Sequence, residues 1–365
     1  MAEESKHLTY FKVENFKCFD SFEMEDIGQF NLILGDNNVG KTSVLEALLF
    51  DENLTVYLTA IDNILYNKKL SSVSNNNFVQ TNYLEYIFNK KFDNPKITTE
   101  YSLSGQGMKF NLSLEFLQNP TDEEINAFLI GRTNKKTDAT NLVRLKTDTK
   151  DDYNTLDIYS HATTLPSNGP MIFSNLLYSD DLVVFFSEGI QPSKETKSKF
   201  LSQLATFIDN LEDMEISLPH PKSEPILSIR LKNFLKMMPL AMFGDGAIKL
   251  TRILLEITKT ARYRLMIDEV DSGIHYSRFK DYWRTIIKAA ASNNVQLFMT
   301  THNVECLRYL KEVLEEEDMV QYQEKTRSYT LLKLPNGHIE SYKYSFKQFE
   351  FAVDREVEIR GGQNG

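Results

Sequence analysis

The residues best suited to chemistry lie in one stretch near the N-terminus, Gly35-Asp36-Asn37-Asn38-Val39-Gly40-Lys41-Thr42-Ser43, which we call the phosphate loop. Its spacing fits the pattern G-x-x-x-x-G-K-[ST]. Glycines let such a loop curl so that several backbone N–H groups point at one anion. The pattern predicts that Lys41 reaches the β- and γ-phosphates of a nucleoside triphosphate and that the Thr42 hydroxyl binds Mg²⁺. The positions expected to hold the nucleotide are Gly35, Asn37, Asn38, Val39, Gly40, Lys41, Thr42 and Ser43.

A second candidate is the acidic end of an apolar strand, Arg264-Leu265-Met266-Ile267-Asp268-Glu269. Adjacent side chains of a strand point in opposite directions, so the two acids have different tasks. Asp268 suits Mg²⁺ coordination, directly or through water, and Glu269 suits the polarisation of an attacking water as general base. The alternative is a strand that ends at a solvated acidic turn. The phosphate loop in the same chain favours the catalytic interpretation.

Two further segments are less specific. The apolar strand that starts at Val295 ends in Thr300-Thr301-His302-Asn303, where His302 could hydrogen-bond the γ-phosphate, although a lone histidine is more often structural. Gly244-Asp245-Gly246, which we call the signature segment, precedes a helical pattern and fits an anion site. A simple helix-capping turn explains the same three residues equally well.

The elements that must position these residues are visible in the apolar pattern. A strand over residues 30–34 precedes the phosphate loop and a helix over 43–50 follows it, after a β-rich start over 9–27. From residue 226 onward, helices alternate with short apolar strands, which indicates an α/β sheet. We therefore predict a split nucleotide-binding domain, 1–50 plus 226–345, interrupted by a helical or mixed lid subdomain over 51–225 and followed by a tail over 346–365.

Composition limits the class of protein. The chain has 365 residues, of which 41% are hydrophobic, and a formal net charge of −10, so a surface devoted wholly to nucleic acid is excluded while a local basic groove is not. Cys18 and Cys306 are far apart and predict ordinary thiols in a reducing compartment. The sequence contains no apolar run of membrane-spanning length and no signal-peptide core near Met1, so we expect a cytoplasmic protein without a membrane partner.

Together these motifs resemble the ABC-type ATPases of the RecF/SMC/Rad50 and OLD group, and most of all the bacterial AAA-labelled ATP-binding proteins of anti-phage defence systems. The opening Phe11-Lys12-Val13-Glu14-Asn15-Phe16-Lys17-Cys18-Phe19 also looks like the first strand of that group. The resemblance implies an α/β fold, a P-loop NTPase with an ABC-type head, a mixed sheet and an inserted α-rich lid. It implies ATP and Mg²⁺ as ligands, and a nucleotide held between two heads.

The resemblance also assigns roles to single residues. Asp268 matches the magnesium-associated acid, Glu269 the catalytic glutamate, His302 the switch histidine and Gly244-Asp245-Gly246 the signature. Asp271 and His275 fall in the segment that meets the partner head. The signature lacks the usual Ser-Gly-Gly-Gln, and the glutamine that usually follows the first helix is not placed, Gln80 and Gln118 being candidates. The insertion lacks a long heptad segment, so we expect no Rad50- or SMC-like coiled coil there.

The leading functional hypothesis is an ATP-hydrolysing head that forms a homodimer or higher oligomer and controls a separate effector, a nuclease or toxin, in anti-phage defence. No segment is typical of the effector itself, which motivates this interpretation. One alternative is a RecF-like, DNA-binding repair ATPase, which the acidic balance suits less well. Another is a nucleotide-dependent scaffold or sensor with negligible turnover, against which the presence of Glu269 argues.

Overall fold

The computed structural model describes residues 7–68, 86–89, 96–118, 121–129, 141–148, 151–155, 171–174, 181–220, 223–260 and 263–357. The chain divides into two compact units. Unit 1 comprises Met1–Ile27, Gly35–Gly169 and Tyr329–Lys343, and unit 2 comprises Gly28–Leu34, Pro170–Ser328 and Tyr344–Gly365. These boundaries differ from the predicted ones, because much of the insertion belongs with the N-terminal strands.

The described elements follow each other in this order. The strands are β1 (Leu8–Phe16), β2 (Phe19–Glu25), β3 (Phe30–Gly35), β4 (Lys96–Leu103), β5 (Lys109–Gln118), β6 (Asn141–Thr147), β7 (Asp151–Thr155), β8 (Met171–Ile172), β9 (Leu211–Ser217), β10 (Ile226–Leu231), β11 (Met238–Pro239), β12 (Arg264–Ile267), β13 (Gln296–Thr300), β14 (Thr326–Lys333) and β15 (Ile339–Ser345). The helices are α1 (Lys41–Ala47), α2 (Leu54–Asn67), α3 (Asp122–Leu129), α4 (Asp181–Phe185), α5 (Lys194–Leu204), α6 (Asp245–Lys259), α7 (Phe279–Ser292), α8 (Val304–Leu314) and α9 (Phe346–Asp354).

Unit 1 is organised around an antiparallel sheet of six strands in the order β2-β1-β4-β5-β6-β7. Strand β1 alternates buried and partly exposed residues, with Phe11, Val13 and Phe16 on the buried face, as a half-buried strand requires. Four of the six strands come from the predicted insertion, which is therefore not predominantly helical in its described part. Hydrophobic periodicity identifies strands such as β4 but does not show that β4 pairs with β1.

The core sheet of unit 2 is parallel, with β3, β13, β12 and β8 as successive neighbours. Strands β3 and β13 are buried along their length, and β12 is buried except at Arg264, as expected for parallel strands covered on both faces. Helix α6 packs against α7, α7 against α8 and α8 against α9, and their apolar faces share one core. A small antiparallel sheet, β11-β10-β9, completes the unit.

The C-terminal region is more structured than the sequence indicated. We expected a tail from residue 346, but helix α9 forms there, with a capping box between Ser345 and Gln348 at its start. Phe346, Phe349 and Ala352 on α9 join the core of unit 2, which explains why the helix is stable. Among the described residues, no helix has both the length and the apolar character needed to cross a lipid bilayer.

Helix α6 carries a carboxylate into this core. Glu256 is 4% exposed, and its Oε1 lies 3.6 Å from the Arg252 guanidinium, while its Oε2 has no hydrogen-bond partner in the described part of the chain. Burial raises the pKa of Glu256 to about 7, against the opposing charges of Lys259 and Arg252. The folded protein therefore holds this proton at pH values where an unfolded chain has released it.

We expect the wild type to lose stability relative to a Glu256→Gln variant as the pH rises. The reason is that the raised pKa contributes stability below about pH 4.5, and that contribution is lost as the pH passes through about 7. At 1.36 kcal/mol per pH unit, the expected loss between about pH 5 and pH 8 is about 2–3 kcal/mol. Urea unfolding of both proteins at the two pH values measures it. Parallel pH dependences of the two free energies would contradict the prediction.

Candidate functional site

The phosphate loop runs from the end of β3 to the start of α1, as predicted. Asn38 and Gly40 have positive φ angles of 65° and 100°, which curl the backbone as an anion-binding loop requires. A Cβ atom on Gly40 would lie 2.7 Å from Cys18 Sγ and 3.0 Å from the Phe19 ring. Only glycine satisfies both the φ angle and the close approach, so the motif's second glycine is required by the packing of unit 1.

The polar atoms of the loop are arranged for a ligand with negative charge. Lys41 Nζ donates to the carbonyl oxygens of Gly35 at 2.6 Å and Asp36 at 2.8 Å, so the ammonium group lies over the loop. Within the described part of the chain, no side chain caps the N-terminus of α1 at Gly40. Residues 36–38 are exposed, and Thr42 is partly exposed, so solvent reaches both the loop and the hydroxyl group.

Helix α1 is anchored by a buried ion pair behind the loop. Glu46 is fully buried and pairs with Lys17, at the turn between β1 and β2, and with Lys68 at 3.7 Å. Burial lowers the pKa of Lys17, and Glu46 opposes that effect. Burial also raises the pKa of the neighbouring Cys18 thiol, so it is protonated near neutral pH and contributes packing against Gly40 rather than a nucleophile.

In unit 2 the functional candidates lie at the carboxyl edge of the parallel sheet. Ile267 pairs with Met299, and Thr300 pairs with Ile33, so β12, β13 and β3 all end at the same edge. The chain continues from β12 into Asp268 and Glu269, from β13 into His302, and from β3 into the phosphate loop. Parallel α/β sheets bind ligands at this edge.

Asp268 is held rigidly at this edge. It is 8% exposed, its N–H donates to the Ile172 carbonyl at 2.9 Å, and its Oδ1 accepts from Thr300 Oγ1 at 2.7 Å. A buried carboxylate needs such partners because burying an unpaired charge is costly. Asp268 therefore has the fixed position that a metal-associated acid requires.

Glu269 has an unusual backbone conformation. Its φ is 47°, which lies in the left-handed region. This conformation costs a residue other than glycine about 1–3 kcal/mol. Its N–H donates to Thr300 Oγ1 at 2.8 Å, and its carbonyl oxygen accepts from Ser272 N at 2.9 Å and from Lys249 Nζ at 2.5 Å. Both flanking peptide groups are thus fixed, while the side chain is partly exposed.

Lys249 is a lysine buried in helix α6, three residues after the signature segment. It is 1% exposed, and its ammonium group also donates to Ser272 Oγ at 2.6 Å. Burial lowers the pKa of Lys249 to about 8, although the carboxylates of Asp271, Glu269 and Asp268 oppose this effect. At neutral pH the group therefore remains charged and links α6 to the turn after the acidic pair.

The end of β13 holds a second threonine and the predicted histidine. Thr301 Oγ1 donates to Asp271 at 2.6 Å and accepts from the Asn303 N–H at 3.1 Å, and the Asn303 side chain caps α8. His302, between them, is exposed on a backbone that these bonds fix. Its position beyond β13 agrees with the prediction, and its role toward a γ-phosphate stays a prediction.

The signature segment touches the turn that follows the acidic pair. A Cβ on Gly246 would lie 3.1 Å from the Gly273 carbonyl oxygen, and a Cβ on Gly273 would lie 3.0 Å from Asp245 Cβ. Gly244 and Asp245 themselves are exposed at the start of α6. His275, in the same turn, caps a short helical segment through Nδ1, which accepts from the Ser277 N–H at 3.4 Å.

The structure thus brings the acidic pair, His302 and the signature segment into unit 2, and the phosphate loop into unit 1. Sequence reasoning missed Lys249 and the Thr300 hydroxyl, because neither belongs to a motif and both make hydrogen bonds to the main chain of Glu269. The only signal that could have found Lys249 is its charge, because α6 is buried over residues 247–257 and a buried charge needs a partner. Of the two candidate glutamines, Gln80 lies outside the described residues and Gln118 is the last residue of β5.

Comparison with known proteins gives a family and a relative. The family model described as "AAA domain, putative AbiEii toxin, Type IV TA system" matches residues 30–308. A Helicobacter pylori (strain ATCC 700392 / 26695) protein named "ATP/GTP phosphatase" is 22% identical over 385 residues, covering 96% of this chain and 99% of that protein.

Solved structures of SMC heads are also similar. An SMC head bound to the C-terminal winged-helix domain of ScpA is 12% identical, with a TM-score of 0.49, over 93% of this chain and 98% of that chain. The SMC head domain of Thermotoga maritima is 13% identical, with a TM-score of 0.47, over 93% of this chain and 99% of that chain.

Proposed function

We infer the function of this chain from its family, since the chain belongs to the family described as "AAA domain, putative AbiEii toxin, Type IV TA system". It has the α/β fold of a P-loop NTPase with an ABC-type head, and it hydrolyses ATP. The Helicobacter pylori relative, named an ATP/GTP phosphatase, supports the same reaction class. The observation that carries the inference is the parallel sheet of unit 2, in which β3 leads along the chain into the phosphate loop and β12 leads into the acidic pair.

The predicted residues take distinct roles in this reaction. Lys41 and the backbone N–H groups of the phosphate loop bind the phosphates, and their position over and within the curled loop supports this role. Glu269 acts as general base for the attacking water, and His302 contacts the γ-phosphate. Neutral water is a weak nucleophile, so a carboxylate at the edge of the sheet is needed to accept its proton.

The Thr42 hydroxyl and the Asp268 carboxylate would hold Mg²⁺. A hydroxyl and one carboxylate suit this ion, which keeps several waters and binds nucleotide phosphates rather than a cage of protein ligands. Among the described residues, no group of three or more His, Cys, Asp or Glu side chains could hold a metal ion. When bound, Mg²⁺ neutralises charge on the phosphates.

We further propose that two copies of the chain close around ATP. The signature segment supports this, because Gly244 and Asp245 are exposed at the N-terminus of α6, a helix long enough to favour an anion at that end. In this arrangement the phosphate loop of one copy and the signature segment of the other contact the same nucleotide. Each active site would then require both copies.

A mixing experiment tests the shared site. Lys41→Ala and Asp245→Arg should each lose ATPase activity, the second because a new positive side chain misplaces the trans contact. Random mixed dimers of the two variants contain one intact site, so an equimolar mixture should recover about a quarter of the wild-type rate, a statistical expectation for exchanging dimers. A mixture no more active than its components, when co-purification of two differently tagged variants shows mixed dimers, would exclude a site shared in this way.

The biological role we propose is control of a separate effector, a nuclease or toxin, in anti-phage defence. The family description, which names a putative toxin and a Type IV TA system, supports a link to such systems, and the test decides whether the effector is a separate protein. The test is purification of the chain with its native neighbouring genes expressed, with and without ATP. A partner that co-purifies in an ATP-dependent way is expected, and full biological activity of this chain alone would contradict the proposal.

A further inference from the structure

The left-handed conformation of Glu269 needs an explanation, because a glutamate does not adopt φ of 47° without restraint. Two side chains supply that restraint from opposite sides. Thr300 Oγ1 accepts the Glu269 N–H at 2.8 Å, and Lys249 Nζ donates to the Glu269 carbonyl at 2.5 Å. We call this arrangement, Thr300–Glu269–Lys249, the glutamate clamp.

Both clamp residues are themselves buried and fixed. Thr300 is fully buried, and its hydroxyl donates to Asp268 Oδ1 at 2.7 Å, which orients the oxygen lone pairs toward the Glu269 N–H. Lys249 is 1% exposed, and Ser272 Oγ accepts a second hydrogen bond from its ammonium group at 2.6 Å. A buried ammonium with two acceptors is costly to replace, because each lost bond leaves a buried polar group unpaired.

We propose that Lys249 and Thr300 are positioning residues that aim the Glu269 carboxylate at the attacking water. The backbone conformation at Glu269 sets the direction of its Cα–Cβ bond, so release of either hydrogen bond lets the carboxylate turn away. Because Lys249 lies on α6, which starts at the signature segment, contact at that segment is transmitted to the general base through one helix. This proposal rests on the proposed function, in which Glu269 is that base.

The consequence concerns regulation of the site. The contact of Gly246 with Gly273 and the bond from Lys249 to Glu269 join α6 to the same turn at two points. A displacement of α6 therefore cannot leave the Glu269 backbone unchanged. A second copy that contacts the signature segment would set the position of the general base as well as bind the nucleotide.

The test uses three variants of the full chain. Thr300→Val removes the hydroxyl at nearly constant volume, whereas Thr300→Ser keeps it. Lys249→Met removes the ammonium group and keeps most of the side-chain length. We expect Thr300→Val and Lys249→Met to lower kcat about 10–100-fold at saturating Mg²⁺, with the KM and Kd for ATP within about threefold of wild type. Thr300→Ser should restore kcat to within about threefold.

The matched control is Thr285→Val, which also removes a buried threonine hydroxyl from unit 2. Thr285 Oγ1 is bonded to the Asp281 carbonyl, and it takes no part in the clamp. We expect its kcat to stay within about twofold of wild type. A comparable loss of kcat in Thr285→Val would mean that the clamp variants report general destabilisation, and it would overturn the proposal.

The deciding measurement is a double-mutant cycle with Glu269→Gln. If Lys249 and Thr300 act through the Glu269 carboxylate, adding either change to Glu269→Gln lowers the residual rate no further. If either change lowers the rate as much in the Glu269→Gln background as in the wild type, the positioning role of Lys249 and Thr300 is wrong. The role of Glu269 as general base would not be affected by that result. Normal hydrolysis by Glu269→Gln alone would instead overturn the proposed base, so the two failures are distinguishable. If Lys249→Met does not fold, the comparison of Thr300→Val with Thr300→Ser tests the proposal.

Discussion

The Glu269→Gln variant is expected to bind ATP as tightly as the wild type and to hydrolyse it at least about 100-fold more slowly. Glutamine has nearly the same shape as glutamate, so the backbone bonds to Thr300 and Lys249 persist. Its amide cannot accept a proton from water, and general base catalysis typically contributes about 10²–10⁴-fold. Release of inorganic phosphate under single-turnover conditions measures the chemical step, and fluorescence anisotropy of a labelled ATP measures binding.

The same variant should accumulate as an ATP-bound dimer. Two copies held by unhydrolysed nucleotide have no route to dissociation except loss of ATP, so size-exclusion chromatography with light scattering should show a dimer only with Mg²⁺ and ATP. A suitable control is Glu317→Gln, which changes an exposed glutamate after α8 and should behave as wild type. Normal turnover by Glu269→Gln would show that another group is the base.

The Lys41→Ala variant is expected to lose ATP binding, with a Kd raised about 100-fold or more. Lys41 Nζ already lies over the carbonyl oxygens of Gly35 and Asp36, close to the curled backbone of the loop. A hydrogen bond from a charged group contributes about 1.5–3 kcal/mol. If Lys41 makes two such bonds to the phosphates of ATP, their loss raises the Kd by a factor of about 10²–10⁴. Isothermal titration calorimetry with ATP and Mg²⁺ measures the Kd.

The fold of the variant should be unaffected, because Lys41 is partly exposed and its hydrogen bonds to Gly35 and Asp36 lie within its own loop. Its thermal midpoint should lie within a few degrees of the wild type. Lys12→Ala, on β1 in the same unit, removes a lysine paired with Glu14 and should leave the Kd for ATP unchanged. Unchanged ATP affinity in Lys41→Ala would mean that the loop does not bind phosphates in the predicted manner.

Much of the fold was predictable because its elements carry local signals. The strand predicted over residues 30–34 forms as β3, and the helix predicted over 43–50 overlaps α1. Both elements were predictable from their apolar pattern and because the phosphate-loop motif itself requires them. Each of these signals lies within about a dozen consecutive residues, so no tertiary information was needed.

Pairing and domain membership were not predictable by the same means. Strand β4 pairs with β1 through residues more than 80 positions apart, such as Val13 with Thr99, and β5, β6 and β7 extend the sheet from β4. Periodicity reports which face of a strand is buried and is silent about its neighbour. Helix α9 was missed for a related reason, because its stability comes from burying Phe346 and Phe349 in the core of unit 2.

The sequence by itself determined the chemical groups: a phosphate loop with Lys41, an acidic pair at a strand end and a histidine after the next strand. Motif residues are recognisable because the reaction fixes their type and spacing. Only the tertiary structure decided how Glu269 is held, since its left-handed backbone depends on hydrogen bonds from Thr300, 31 residues away, and Lys249, 20 residues away. Such bonds connect side chains to main-chain atoms, which every residue has, and they therefore leave no pattern in the sequence.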